Sequence, residues 1–289
     1  MQKTILGRYG NDRGHWVGDG FPVRSLFSYS AFGAHLSPFL LLDYAGPYTF
    51  GPTEARRGVG EHPHKGFETV TIVYDGEVEH RDSSGGGGVI GPGDVQWMTA
   101  GNGIQHEEFH SADYARAGGA FRMVQLWVNL PAADKGAPAT YQTLRAADIP
   151  VVSLPHDAGT LRVIAGDYGT GHGPARVFSP LNVWDGTLHA GAQVTLDLPV
   201  GHSTAIVLLE GRLVVNGGME LGSAQFALLS REGTEVTLQA TEAASFLVLT
   251  GQPLNEPIAG YGPFVMNTQE EIRQAIEDFN NGHFGGIAA

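Results

Sequence analysis

Short apolar runs, broken every few residues by glycine or proline, are the feature that most limits what this chain can fold into. Glycine supplies 42 of 289 residues, about twice its usual ~7% share. The glycines are spread along the chain and do not gather into a linker. That texture fits many short strands joined by turns. FETVTIVYDGEVEH (67–80) reads as two strands broken at Asp75-Gly76, a dipeptide that favours hairpins. A glycine run and Pro92-Gly93-Asp94 then lead into another strand, and FRMVQLWVNL (121–130) is apolar enough to be a buried one. PAADKGAPATYQTLRAADIP (131–150) is small, polar and rich in Pro and Ala, and reads as a linker.

The second half repeats the rhythm of the first. TAIVLLEGRLVV (204–215) resembles TVTIVYDGEVEH (69–80), with Gly211 matching Gly76. Two β-domains of related architecture are therefore expected, residues 1–135 and 136–289. Sandwiches, barrels and jelly rolls all fit the pattern. The tail differs. Thr268 and Glu271 form a capping-box pair, Ile272, Ala275, Ile276 and Phe279 follow at helical spacing, and Gly282 can end the helix. An amphipathic closing helix packed on a sheet is expected there.

Composition excludes several function classes. The formal charge of −13 opposes direct nucleic-acid binding, which needs clustered Lys and Arg. No run approaches the ~18 apolar residues of a membrane span, and MQKTILGRYGND lacks the apolar core of a secretion signal. These features suggest a soluble, cytoplasmic protein. With no cysteine, disulfides, thiolate nucleophiles and Cys-ligated metals are absent, so any metal must be held by histidines and carboxylates.

EHPHKGFETV (61–70) offers such a set. Alternate residues of a strand share a face, so His62 and His64 point the same way if the segment is extended, and Pro63 favours that conformation in its predecessor. GNGIQHEEF (101–109) repeats the spacing with His106 and Glu108, its glycines reading as a tight turn that aims His106 inward. Two strands each giving two same-face ligands can converge on one transition metal. Glu68 shares the parity of His64 and competes with Glu108 as carboxylate ligand if the strand runs unbroken, although Gly66 could disturb that register. Glu107 falls on the opposite face, His110 shares the parity of Glu108 but stands where the strand could end, and His80 reads as a turn-stabilising residue. Gly85 to Gly88 lack the helix and lysine of a phosphate cradle. The second half serves as an internal control: with Gly211 aligned on Gly76, Asp197 stands opposite His62 and Pro199 opposite His64. The fold does not itself require the histidines, which favours a functional role for them.

HPHKGFETVT, HRDS, GPGDVQWMTAGNGIQHEE and QLWVNLP closely resemble the pirin family of bicupins, and GHSTAIVLLEG and EEIRQAIEDFNNGHF extend the likeness over nearly the whole chain. The resemblance implies an all-β protein of two cupin (jelly-roll) β-barrels face to face, with one metal in the N-terminal barrel. It implies His62, His64, His106 and Glu108 as ligands, whereas the general cupin pattern would use Glu68. HEEF departs from the small residue after the histidine and the Met after the glutamate found in many relatives, which touches the pocket mouth and leaves the ligands intact. By resemblance the ion is a divalent transition metal, Fe(II) first, with Mn, Ni, Cu, Co or Zn as alternatives. The implied activity is that of a quercetin 2,3-dioxygenase, in which Glu108 takes the proton of a flavonol's 3-hydroxyl and O2 opens the ring. Phe67 and Trp97 are candidate pocket walls or core residues. The competing implication is a metal- or redox-sensing regulator that binds protein partners and turns nothing over.

Overall fold

The computed structural model describes residues 1–287. Contacts divide the chain into two interleaved units. One, here the histidine unit, comprises Arg13–Ser25, Phe39–Ala146 and the chain from Asn255 onward. The other, the companion unit, comprises Met1–Asp12, Leu26–Pro38 and Ala147–Leu254. A single cut at residue 135 would partition the chain otherwise: the first strand joins the companion unit and the closing helix joins the histidine unit. Among the described residues no helix is long and apolar enough to cross a membrane.

The histidine unit is built from two antiparallel sheets. The larger runs, in spatial order, Thr140–Leu144, Val95–Thr99, Phe67–Asp75, Gly119–Asn129, Phe39–Phe50, Phe21–Ser28 and His15–Val17. The smaller runs Gly58–His64, Ile104–His110, Val78–Asp82 and Gly87–Ile90. Phe21, Ala45, Phe121 and Met123 of the first sheet share a buried cluster with Val78 and Ile90 of the second, so the two inner faces form one core. Each sheet keeps free edges, giving a jelly-roll sandwich rather than a hydrogen-bonded closed barrel. The companion unit has a nine-stranded sheet around a core that includes Leu161, Trp184, Leu208 and Phe246. Gly76 and Gly211 adopt φ of 84° and 85°, which supports the internal likeness read from the sequence.

Three local expectations change. The strands on either side of Asp75-Gly76 belong to different sheets, so this turn is a corner between sheets and not a hairpin. Gly66 has φ of 88°, and a Cβ there would lie 2.1 Å from Val265 O. The chain therefore turns between His64 and Phe67, and the two residues lie in separate sheets. The supposed linker is ordered: Thr140–Leu144 forms the edge strand beside Val95–Thr99. Within it Lys135 is buried, and its Nζ donates to Gly66 O, Asn129 Oδ1 and Val265 O at 2.7, 2.7 and 2.9 Å. Small-residue composition concealed an anchor.

The closing helix forms over Gln269–Asn280 with both halves of its capping box in place. Ile272 and Ala275 are buried and pack with Ala259, Phe264, Met266 and Phe284. They lie against the small hairpin Ala259–Tyr261/Phe264–Met266, whose Phe264 bridges to Lys65. Burial lowers the Lys135 ammonium to about 8, against the charges of Glu256 and Glu271. Lys135→Met keeps the aliphatic stem but leaves buried acceptors unmatched, and should lower unfolding free energy by about 3 kcal/mol. Denaturant titration checks this, and a loss below about 1 kcal/mol would show the ammonium is no anchor.

Candidate metal centre

His62 and His64 lie on the edge strand of the four-stranded sheet, where Pro63 has no ladder bond to lose on its open side. In the pairing with Ile104–His110, His62 stands directly opposite His106 and Ile104 opposite His64. Between His106 and Glu108 the register shifts by one residue, a bulge that sets Glu108 against Val59. The i, i+2 spacing thus holds on both strands. Ring centroids are 4.2 Å apart for His62 and His106, 4.8 Å for His64 and His106, and 5.0 Å for His62 and His64. One ligand-capable atom from each of the three lies within 4.8 Å of the others.

Hydrogen bonds orient the rings. Gly60 O is 2.9 Å from His62 Nδ1, and Pro263 O is 3.4 Å from His64 Nδ1. Carbonyl oxygens only accept, so both rings carry the proton on Nδ1 and keep a lone pair on Nε2. His106 is fully buried and its Nε2 has no partner. Such an orphan is costly, and a bound cation would relieve it. Burial first, and neighbouring imidazoles second, hold His64 and His106 well below the usual histidine range. Both are therefore neutral near pH 7, the form that binds metal. A nitrogen-rich set with a nearby carboxylate suits a transition metal.

Glu108 is buried, and its Oε1 accepts from Gln96 Nε2 at 2.9 Å and from Thr71 Oγ1 at 3.3 Å. A second candidate group joins it to His106 through a residue that sequence reasoning set aside. His80 is fully buried opposite Glu108 on Val78–Asp82, and His80, His106 and Glu108 again offer ligand atoms within 4.8 Å. The turn role expected for His80 is thereby corrected: HRDSSGGGG looks like a loop, but its first residue is still in the sheet. Its i, i+2 relation to Asp82 was the available signal. Among the described residues both metal-capable groups lie in the histidine unit.

The other candidates fall elsewhere. Glu68 is buried in the seven-stranded sheet and accepts from Thr99 Oγ1 at 2.8 Å. It belongs to neither group, because the turn at Gly66 breaks the strand on which its parity with His64 depended. Glu107 faces outward to Arg56 and Arg81. His110 remains in its strand, packed on Phe50 and Phe121, with Nε2 donating to Gly20 O. His62, His64 and Glu108 line a cavity of about 330 Å³ whose apolar wall is Val17, Phe21, Val23, Val59, Met123 and Trp127. Asp43 and Gln125 are its remaining polar lining. Phe67 stacks on Trp127 behind this wall, at 4.3 Å between centroids, and Trp97 is buried core.

Burial raises the Glu68 carboxyl to about 7, although Thr99 opposes the shift. The folded state then holds a proton that the unfolded chain releases above about pH 4.5. Glu68 therefore costs stability as pH climbs from about 4.5 to 7, on the order of 3 kcal/mol in full. Glu68→Gln should gain on the parent by that order between pH 5 and 8 in matched thermal melts. A difference independent of pH would exclude the shift.

Comparison with known proteins agrees with this architecture. The pirin family description matches residues 20–128, and that of the pirin C-terminal cupin domain matches residues 183–285. A Pseudomonas aeruginosa protein named "putative quercetin 2,3-dioxygenase" is 63% identical over 282 residues, covering 98% of each chain. Pirin-like protein 2 of Arabidopsis thaliana is 35% identical, covering 93% of this chain and 81% of its own. A crystal structure titled quercetin 2,3-dioxygenase from Acinetobacter baumannii is 61% identical and superposes with a TM-score of 0.97 over all of both chains. The chain belongs to the pirin family.

Proposed function

We propose that this protein is a metal-dependent dioxygenase that opens a flavonol, or a related enolic aromatic, with O2. The observation that carries the reading is that His62 and His64, grouped with the buried His106, line one apolar cavity together with Glu108. The names of the relatives at 63% and 61% identity support it. His62, His64 and His106 would hold the ion through Nε2, with Glu108 as the carboxylate ligand and Fe(II) as the first candidate metal. When bound, such an ion supplies Lewis acidity toward an enolic hydroxyl and redox chemistry toward dioxygen.

The chain's own residues do the remaining work. The wall of Val23, Val59, Met123 and Trp127 excludes water and accepts a flat aromatic body, in a volume near the lower bound of ~300 Å³ for small-molecule sites. Gln96 and Thr71 hold Oε1 of Glu108, leaving Oε2 to meet the ion or to take the substrate's proton. Both donors are neutral, so they orient the carboxylate without cancelling its charge.

The test compares quercetin on metal-reconstituted protein with and without oxygen. Oxygen-dependent loss of flavonol absorbance is expected, and His106→Ala should purify with its metal content largely lost. No oxygen-dependent loss would sink the dioxygenase reading and favour a metal-sensing regulator that works through protein partners. Undiminished metal in His106→Ala would sink the ligand assignment.

A further inference from the structure

His80 sits at the junction of four side chains, none of which is solvent. Its Nε2 lies 3.0 Å from Asp82 Oδ2. The other oxygen of Asp82 accepts from Ser84 N, Ser84 Oγ and Gly86 N, a set that favours the carboxylate. An ionised carboxylate only accepts, so His80 carries its proton on Nε2 and presents Nδ1 as an acceptor. Two donors meet that nitrogen: Gln96 Nε2 at 3.1 Å and His106 Nδ1 at 3.4 Å. The contact to His106 forces that ring's proton onto Nδ1, which leaves its orphaned Nε2 as the lone pair. Gln96 Nε2 also donates to Glu108 Oε1, so one amide ties His80 to the carboxylate. Tyr141 closes the arrangement, stacking on His80 at 4.7 Å and reaching Gln96 Oε1 at 3.2 Å.

We infer that His80 is the positioning residue of the metal centre, setting the tautomer of His106 and, through Gln96, the orientation of Glu108. The inference rests on the metal-centre reading above but not on the dioxygenase chemistry. His80 is not itself a free ligand, because both of its nitrogens are engaged within the protein. Asp82 is the anchor behind it: Ser84 N, Ser84 Oγ and Gly86 N all donate to its Oδ1, at 2.9, 2.6 and 3.0 Å. The glycine-rich stretch thus serves as a clamp on Asp82. A carboxylate–histidine–histidine chain of this kind fixes ring orientation and raises the basicity of the inner ligand.

The test is binding of Co(II) to the full chain after chelator treatment, read by titration and by the visible spectrum at saturation. His80→Ala should weaken the affinity 10–100-fold, the range found for outer partners of metal-bound histidines. Asp82→Asn preserves shape but lets the side-chain amide either donate or accept, so it no longer dictates the tautomer. It should also weaken binding and shift the Co(II) absorption, while the melting temperature of the metal-free protein stays near the parent's. His80→Asn can place an oxygen where Nδ1 stands and should recover part of what His80→Ala loses. If His80→Ala does not fold, Asp82→Asn and His80→Asn decide. Parent-like affinity and spectrum in the variants would overturn the role of His80 alone. A parent chain that takes up no metal would overturn the metal-centre reading and this inference together.

Discussion

Everything at the centre depends on one antiparallel register, the pairing that sets His62 opposite His106. A slip of one residue would leave His62 and His106 on opposite faces of the sheet, because side chains alternate along a strand. The bulge after His106 is tolerated because it falls beyond the paired histidines, where it turns Glu108 against Val59. The edge position of Gly58–His64 lets proline stand between the two histidines without breaking a ladder bond.

An edge strand has a partner on one side only, and the closing segment braces this one from elsewhere. Pro263 O accepts from His64, and Lys65 pairs with Asp278 of the helix at 2.6 Å. Ser83 Oγ donates to Phe284 O at 2.6 Å, and the Phe284 ring fills the space where Gly103 has no side chain. The amphipathic helix buries Ile272 and Ala275 to hold this segment in place. Its sequence lies far from theirs in the chain, yet the segment contacts the strands that carry the candidate histidines.

Much of this was legible in the residues. Period-two spacing put His62 with His64 and His106 with Glu108, and the capping box and apolar stripe marked the helix from its N-cap at Thr268. Glycine and proline punctuation marked the strands but not their partners. Asp75-Gly76 looked like a hairpin because the dipeptide has the required conformation, whereas sheet membership is decided by the strands on either side. The segment 131–150 looked like a linker because Lys135 and Tyr141 have no local periodicity. Their roles depend on Gly66, Val265, His80 and Gln96, each distant in sequence.

Local chemistry therefore determined the all-β texture, the exclusion of sulfur ligands, the ligand types and their shared faces. Those properties follow from composition and from the geometry of a single strand. What spacing left open, and the fold decided, is which carboxylate stands beside the histidines. Glu68 and Glu108 had equal standing by parity, until the turn at Gly66 sent one into a different sheet and strand pairing set the other against His80. The same holds for His80, whose neighbours Gln96 and His106 come from two other strands. Distances between strands are set by long-range hydrogen bonding and core packing, which no spacing within one segment encodes.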